Sequence, residues 1–375
     1  MKVTLIDSDR EEQSNIGGIG IYNKRLYDFL TTHGHQVEIL RFSKIKPKET
    51  YIHQIPYYLA EARTYIFIPS EKALPLIRTH LERFQPDIIY TSLGISPLDF
   101  FLPGLCRELS IPLTGVMHMD FNHSSAYQVL MKSIFMTYLS VCKELDMLHV
   151  FSQKLKDFWV RKGVVTEKIL VLPNGVDANF YTPGPSHFAK RHRMTDGILF
   201  LGRLTFQKNP EVLIKSFLAL NPPRSTKLVI IGQGDLEKNL RIKYRNPRIL
   251  FTGKVTQESQ KLDIIRSCSI FVLPSSYEGM SLALLEAMAT GLACITTDSG
   301  GCVEILGDTG IIIPVTLIEK ELPSQLNSLL TNRSTTVSLG NRARLRVISE
   351  YDQERNFTQL QTAFVNTIQS ALKKF

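Results

Sequence analysis

The sequence predicts two doubly wound α/β domains, and three observations carry that prediction. Short apolar, β-rich runs alternate with longer helical patterns almost from end to end, the mark of parallel sheets joined by right-handed crossovers. At 375 residues the chain exceeds one ordinary domain and can bury two cores. Between the halves, Leu172-Pro173-Asn174-Gly175-Val176-Asp177 is followed by Tyr181-Thr182-Pro183-Gly184-Pro185-Ser186. Two Pro/Gly clusters so close together read as a boundary.

In the first half the strand candidates are 2–6, 36–41, 87–90, 112–117 and 147–151, with helical patterns at 19–32, 71–84, 97–109 and 123–143. The second half repeats the arrangement, with strands near 198–201, 227–231, 249–252, 270–273, 293–296 and 311–313. After residue 318 the strands stop. The last segment, 352–374, reads as a helix with no sheet of its own, so it must pack on a neighbour. The expected domains are 1–172 and 173–354, with the helix at 355–375 returning to the first. Doubly wound sheets bind ligands outside the carboxyl ends of their strands, which places the expected site in a cleft between the domains. No internal repeat or low-complexity tract is present.

The hydrophobic fraction of 43% and charged fraction of 21% are those of a globular chain. Five cysteines, Cys106, Cys142, Cys268, Cys294 and Cys302, form no CxxC and sit mostly in apolar runs. That pattern suits free thiols in a reducing compartment rather than a disulfide framework. Met1 runs directly into a strand, so no signal peptide is expected, and no apolar run reaches the length of a membrane span. A cytoplasmic location is therefore expected. The net charge of +9 is uneven: residues 1–180 hold 20 Lys+Arg against 19 Asp+Glu, leaving 24 against 16 beyond. A cationic second half suits an anionic ligand. The basic residues are not interleaved with repeated aromatics and no nucleic-acid-binding signature appears, so no nucleic-acid partner is expected.

The strongest segment runs from Phe271 to Ala289. A strand ends at Pro274, a polar loop follows, and a helix starts near Ser281. The peptides of Gly279, Met280, Ser281 and Leu282 then lie at a helix N-terminus, where free N–H groups and the dipole favour an anion. Glu278 precedes that site and Glu286 lies within the helix. Taken alone, the pair is as well explained by Ser281 capping an ordinary helix with a solvated Glu286. Gly17 and Gly18 after the first strand could let backbone approach a ligand, or form a plain turn. His118, at the end of a strand, could serve the cleft or be structural.

In context these segments resemble the retaining family 4 glycosyltransferases of the GT-B fold. The family's first-strand loop is matched by Gly17-Gly18-Ile19-Gly20, its N-domain histidine by His118, and its boundary motif by Asn174-Gly175-Val176-Asp177. Its phosphate-binding segment is matched by Gly202-Arg203-Leu204-Thr205-Phe206-Gln207-Lys208-Asn209. Weaker matches are Ile231-Gly232-Gln233-Gly234, Phe251-Thr252-Gly253-Lys254-Val255, and Gly300-Gly301 with Glu304. They fall in family order across residues 1–305.

The resemblance implies that Arg203 and Lys208 hold a donor diphosphate, Glu286 the ribose and Glu278 the transferred sugar's hydroxyls. Backbone around Lys254 and Val255 would face the base, and His118 would contact the sugar near its anomeric centre. The expected catalytic set is thus His118, Arg203, Lys208 and Glu278. The donor is a nucleotide-sugar used as substrate, a UDP-hexose in preference to GDP-mannose, with no cofactor. Fixed cations at the departing diphosphate stabilise the transition state, and Arg with Lys provides for this without a metal. Two patterns that could suggest metal binding, Asp7-Ser8-Asp9 and the group His118, Asp120 and His123, lack supporting architecture. One departure from the family is that Gly291 is followed by Leu292-Ala293 rather than proline.

Retention without an evident carboxylate nucleophile implies same-face attack. The acceptor is read from the first half. Arg41-Phe42-Ser43-Lys44-Ile45-Lys46-Pro47-Lys48 alternates basic and apolar residues, and Tyr51, Ile52, Ile55, Tyr57, Tyr58 and Leu59 follow. Basic side chains beside exposed aromatics would suit an anionic membrane surface, whereas a solvated loop followed by a buried helix explains the same residues. A second basic stretch is Arg241–Lys254. Together they favour a lipid or glycolipid acceptor, such as a glycosyldiacylglycerol, with peripheral attachment to the inner face of a membrane. Rival readings are a soluble sugar or sugar-phosphate acceptor, a nucleotide-sugar epimerase of the same fold, and a non-catalytic nucleotide-sugar-binding protein.

Overall fold

A computed structural model describes all residues except 12–17, 44–46, 48, 62–64, 95, 118–135 and 374–375. His118, Asp120, His123 and Gly17 therefore lie outside the described residues. The chain falls into two compact units, one holding the described residues up to Pro173 and the chain from Glu354 onward, the other Asn174–Gln353.

In the first unit the strands are β1 (Lys2–Glu11), β2 (Gln36–Ser43), β3 (Ile52–Ile55), β4 (Tyr57–Glu61), β5 (Tyr65–Pro69), β6 (Ile88–Ser92), β7 (Leu113–Met117), β8 (Met147–Val150) and β9 (Ile169–Val171). Seven of them form one parallel sheet in the order β3-β2-β1-β6-β7-β8-β9. Its inner strands are apolar runs buried along their length, Ile88–Ser92 and Leu113–Met117 among them, because a parallel sheet is covered on both faces. The order reverses between β1 and β6.

The C-terminal helix Gln353–Leu372 belongs with this sheet. Phe357 packs edge-on to Tyr22 and against Phe29, Phe364 meets Tyr90, and Asn356 Nδ2 donates to the Pro173 carbonyl at 3.0 Å.

The second unit holds β10 (Asp196–Leu201), β11 (Thr226–Ile231), β12 (Ile249–Gly253), β13 (Ile270–Leu273), β14 (Ala293–Thr297) and β15 (Ile311–Ile313). All are parallel, in the order β12-β11-β10-β13-β14-β15. This is the doubly wound arrangement, with its switch point between β10 and β13. The two parallel α/β units are what the sequence predicts. The five cysteines are free and buried.

The stretch from 41 to 69 departs from expectation. Its described residues form strands rather than a helix, and of the expected surface residues Tyr58 is exposed whereas Arg41, Ile52, Ile55 and Tyr57 are buried. Ile52, Ile55 and Tyr57 are core residues, on the edge strand β3 and at the start of the antiparallel hairpin β4–β5. Arg41 faces Asp7 across the β1–β2 register, and its Nε and a terminal nitrogen each lie 2.9 Å from Asp7 Oδ2. A buried charge needs such a partner, so Arg41 belongs to the sheet and Asp7 is already engaged. Lys44, Ile45, Lys46 and Lys48 lie outside the described residues. The basic stretch 241–254 is partly spent locally: Arg241 pairs with Glu237, Lys243 with Glu211, and Arg248 donates to the Pro222 carbonyl.

Candidate functional site

The loops after β10 and β13 are neighbours because their strands are paired. After β10 the chain makes a short 3₁₀ turn, Phe206–Lys208, and reverses through Asn209 in the left-handed region at φ 50°. Pro210 then opens the helix Pro210–Leu220 at a position where its missing N–H costs nothing. After β13 a polar loop leads to the helix Leu282–Ala289, capped by Ser281, whose hydroxyl accepts from the Leu284 N–H. The two loops are tied together. Ser276 N–H donates to the Gln207 carbonyl at 2.9 Å, and Gln207 Nε2 donates to the Tyr277 carbonyl at 3.3 Å.

That tie brings Lys208 Nζ to 2.5 Å from Glu278 Oε1, and the Ser275 hydroxyl donates to the same oxygen at 2.7 Å. The Glu278 side chain is 5% exposed and that of Lys208 18%. A carboxylate so buried requires a cation. Glu278 Oε2 accepts no hydrogen bond among the described residues. Arg203, one turn of chain earlier, is exposed and has no side-chain partner among them. Backbone N–H groups of Gly279, Met280, Leu282 and Ala283 likewise make no hydrogen bond among the described residues. One unpaired cation, one paired cation and several free N–H groups therefore share one loop system, a combination that can hold a diphosphate.

Glu286 points from the same helix into a different network. Its Oε1 accepts from Lys261 Nζ at 3.0 Å, and Lys261 also lies 3.0 Å from Glu258 Oε1. Glu258 in turn accepts from the Tyr181 hydroxyl. Glu286 is thus buried and ion-paired, not a solvated helix residue. Lys261 carries no local sequence signal for its role and is found only when the fold joins distant segments, whereas Ser275 stands only three residues before Glu278.

Glycines set how closely the loops approach. Gly300, at φ +53°, lies so near the Glu278 carbonyl that a Cβ would fall 1.7 Å from it, and Gly301 N–H donates to the Gly279 carbonyl. A Cβ on Gly232 would stand 1.9 Å from the Gly202 carbonyl. Gly202 and Gly232 N–H groups bond to the Ile231 and Gly253 carbonyls, so the ends of β10, β11 and β12 are stitched side by side. Asn174 Nδ2 donates to the Met280 carbonyl at 3.2 Å, fastening the boundary motif to the β13 loop.

Lys254 and Val255 follow β12 and line a cavity of about 460 Å³ with Arg191, Arg241, Phe251 and Thr252. None of Arg203, Lys208, Glu278 and Glu286 lines it. Partial burial lowers the Lys254 pKa. In the first unit, Gly18 opens the helix Gly18–Thr32 and is exposed, with no atom of the described residues beyond its neighbours within 4 Å of where a Cβ would stand.

A family model for glycosyl transferases group 1 matches residues 195–332, and one for glycosyltransferase family 4 matches residues 16–180. The chain is 25% identical over 362 residues to the sulfoquinovosyl transferase SQD2 of Arabidopsis thaliana, covering 89% of this chain and 68% of that one. It is 23% identical to the N-acetyl-alpha-D-glucosaminyl L-malate synthase of Bacillus anthracis, covering 94% and 95%. Among solved structures, HepE of Anabaena in complex with UDP-glucose superposes with a TM-score of 0.76 at 15% identity, covering 98% of this chain and all of that one. Matching models over both halves and full-length superposition on a GT-B protein agree with the strand orders above: the chain has the GT-B fold and carries a glycosyltransferase family 4 domain followed by a glycosyl transferases group 1 domain.

Proposed function

We propose that the chain moves a hexose from a nucleotide-diphosphate sugar to an acceptor hydroxyl with retention of configuration, and that the donor needs no metal. The observation that carries this reading is Arg203, exposed and unpaired among the described residues, on the same loop as Lys208 of the Lys208–Glu278 pair at the switch point of the second sheet. Before the donor arrives, Lys208 and Glu278 neutralise each other. A donor replaces that contact with two better matched ones: diphosphate oxygens take Lys208 and Arg203, and a sugar hydroxyl takes Glu278 Oε2. Glu286 receives the ribose, and the backbone at Lys254 and Val255 faces the base. His118 is assigned to the sugar near its anomeric carbon. UDP-hexose is favoured over GDP-mannose, in keeping with the UDP-glucose complex of HepE.

In the reaction the bond from the anomeric carbon to the phosphate oxygen breaks, and its electron pair stays with the nucleoside diphosphate. The acceptor oxygen bonds to the anomeric carbon from the same face, and its proton passes to the departing phosphate oxygen. Lys208 and Arg203 stabilise charge where it grows. Glu278 is held by Lys208 and Ser275 on one oxygen, which suits hydroxyl binding better than nucleophilic attack.

A lipid or glycolipid is the proposed acceptor, supported by Tyr58 together with Ile68. Tyr58 and Ile68 are cross-strand partners in the hairpin β4–β5 and are 59% and 41% exposed. Exposed apolar pairs of this kind suit an interface with lipid. A soluble acceptor is the second reading, favoured by the burial of Arg41, Ile52, Ile55 and Tyr57. No described helix is long and apolar enough to cross a membrane. The test is a product assay with UDP-, GDP- and ADP-sugars against lipid extract and soluble sugars, with the anomeric configuration read by NMR. An inverted product would overturn the mechanism, and free sugar released without acceptor would point to hydrolysis or epimerisation.

A further inference from the structure

Away from the donor site, the first unit draws two imidazoles and a carboxylate to one point. Glu38 lies on β2, His53 on β3 and His80 in the helix Ala73–Phe84. His53 Nε2 is 2.8 Å from Glu38 Oε2, and His80 Nδ1 is 3.3 Å from the same oxygen. One ligand atom from each residue falls within 4.8 Å of the others. The two ring centroids are 4.7 Å apart.

Hydrogen bonding does not account for this cluster. His80 is 6% exposed, yet neither of its ring nitrogens has a hydrogen-bond partner among the described residues. His53 Nε2 is also buried without one, because its approach to Glu38 lacks donor geometry despite the short distance. Buried polar atoms are normally satisfied, and each exception requires an explanation. Two imidazoles and a carboxylate instead bring three possible ligand atoms to one point.

We propose that Glu38, His53 and His80 bind a zinc-class divalent ion through two imidazole nitrogens and one carboxylate oxygen. Nitrogen and oxygen ligands about 2.0–2.2 Å from zinc stand roughly 3.3 Å apart in a tetrahedron, close to the observed separations. Two imidazoles favour zinc-class metals over magnesium. Arg83 is exposed and donates to the same Glu38 Oε2 at 3.4 Å, a contact that the ion would displace. The ion clamps the edge strand β3 and its neighbour β2 to the helix that covers them. It is independent of the donor reading and leaves the proposed transfer metal-free at the donor.

The test uses the full-length, tag-free chain stripped with chelator, titrated with zinc chloride and, separately, magnesium chloride. One zinc per chain is expected, with a higher Tm in zinc than in magnesium, since a ligand of the native state stabilises it. X-ray absorption at the zinc edge should report two imidazoles. His53→Ala and Glu38→Gln should each weaken zinc binding by at least about tenfold. If His80→Ala does not fold, those two variants and the wild-type Tm shift still decide. Wild-type protein that takes up no zinc, or variants that bind it as tightly as wild type, would overturn the proposal.

Discussion

Two buried ion pairs, one in each unit, lie near the ends of central strands and behave differently. Asp7 and Arg41 face each other on adjacent strands, 0% and 3% exposed, within the sheet itself. Lys208 and Glu278 come from two loops beyond the strand ends, beside the unpaired Arg203 and several unbonded backbone N–H groups. The first pair lies across two adjacent strands, and its charges hold them together. The second sits where another anion could enter and compete for the cation. A pair of opposite charges therefore says little by itself; what surrounds it decides between structure and function.

Breaking the first pair should give the largest effect on folding. Arg41→Leu leaves Asp7 buried beside one partner fewer and should lower unfolding free energy in urea by about 3–5 kcal/mol. A loss below about 1 kcal/mol would show that the pair does not hold the strands together. Lys208→Ala and Glu278→Ala should each cut turnover by roughly 10²-fold or more, as loss of a preorganised transition-state contact does. Near-normal turnover in both would refute the donor-site assignment.

Asp99 sharpens the contrast because it is a buried acid with no cation beside it among the described residues. The Tyr138 hydroxyl is 2.8 Å from its Oδ2, and burial raises its pKa to about 8. The unfolded chain ionises it near 4, so between about pH 4 and 8 the native state holds the extra proton. Its contribution is therefore present at low pH and lost as pH rises, by at most roughly 1.4 kcal/mol per pH unit. Asp99→Asn should flatten that slope in unfolding measured across this range, whereas an unchanged slope would show that the carboxyl is already ionised when folded. The smallest effect is expected at the hairpin. Tyr58→Ser should change stability by no more than about 0.5 kcal/mol but reduce co-sedimentation with anionic vesicles. Equal co-sedimentation would favour the soluble acceptor.

The fold was legible because its inner strands are unbroken apolar runs and its helices follow at regular spacing. Strands β3 to β5 were not legible. They are short, Pro56 interrupts them, and β3 is held by its register with β2, a non-local fact. The same limit hid Arg41: a run of basic residues looks like surface until the strand opposite supplies Asp7. At the candidate site, Arg203, Lys208, Glu278 and Glu286 stand in the sequence as motif residues. Their pairing does not, because Lys208 meets Glu278 across 70 positions and Lys261 meets Glu286 across 25. Gly300 was only a weak match in sequence, and its reason became visible in the close approach of the Glu278 carbonyl.

The central claim, that the loops after β10 and β13 grip the donor diphosphate, is tested most directly at Arg203. Its side chain is exposed and unpaired among the described residues, so Arg203→Ala can be made without disturbing the core. Turnover should be measured with UDP-, GDP- and ADP-glucose beside a thermal melt. The account predicts turnover down by roughly 10²-fold with Tm unchanged. Wild-type turnover in the variant with every donor that the parent accepts would contradict it.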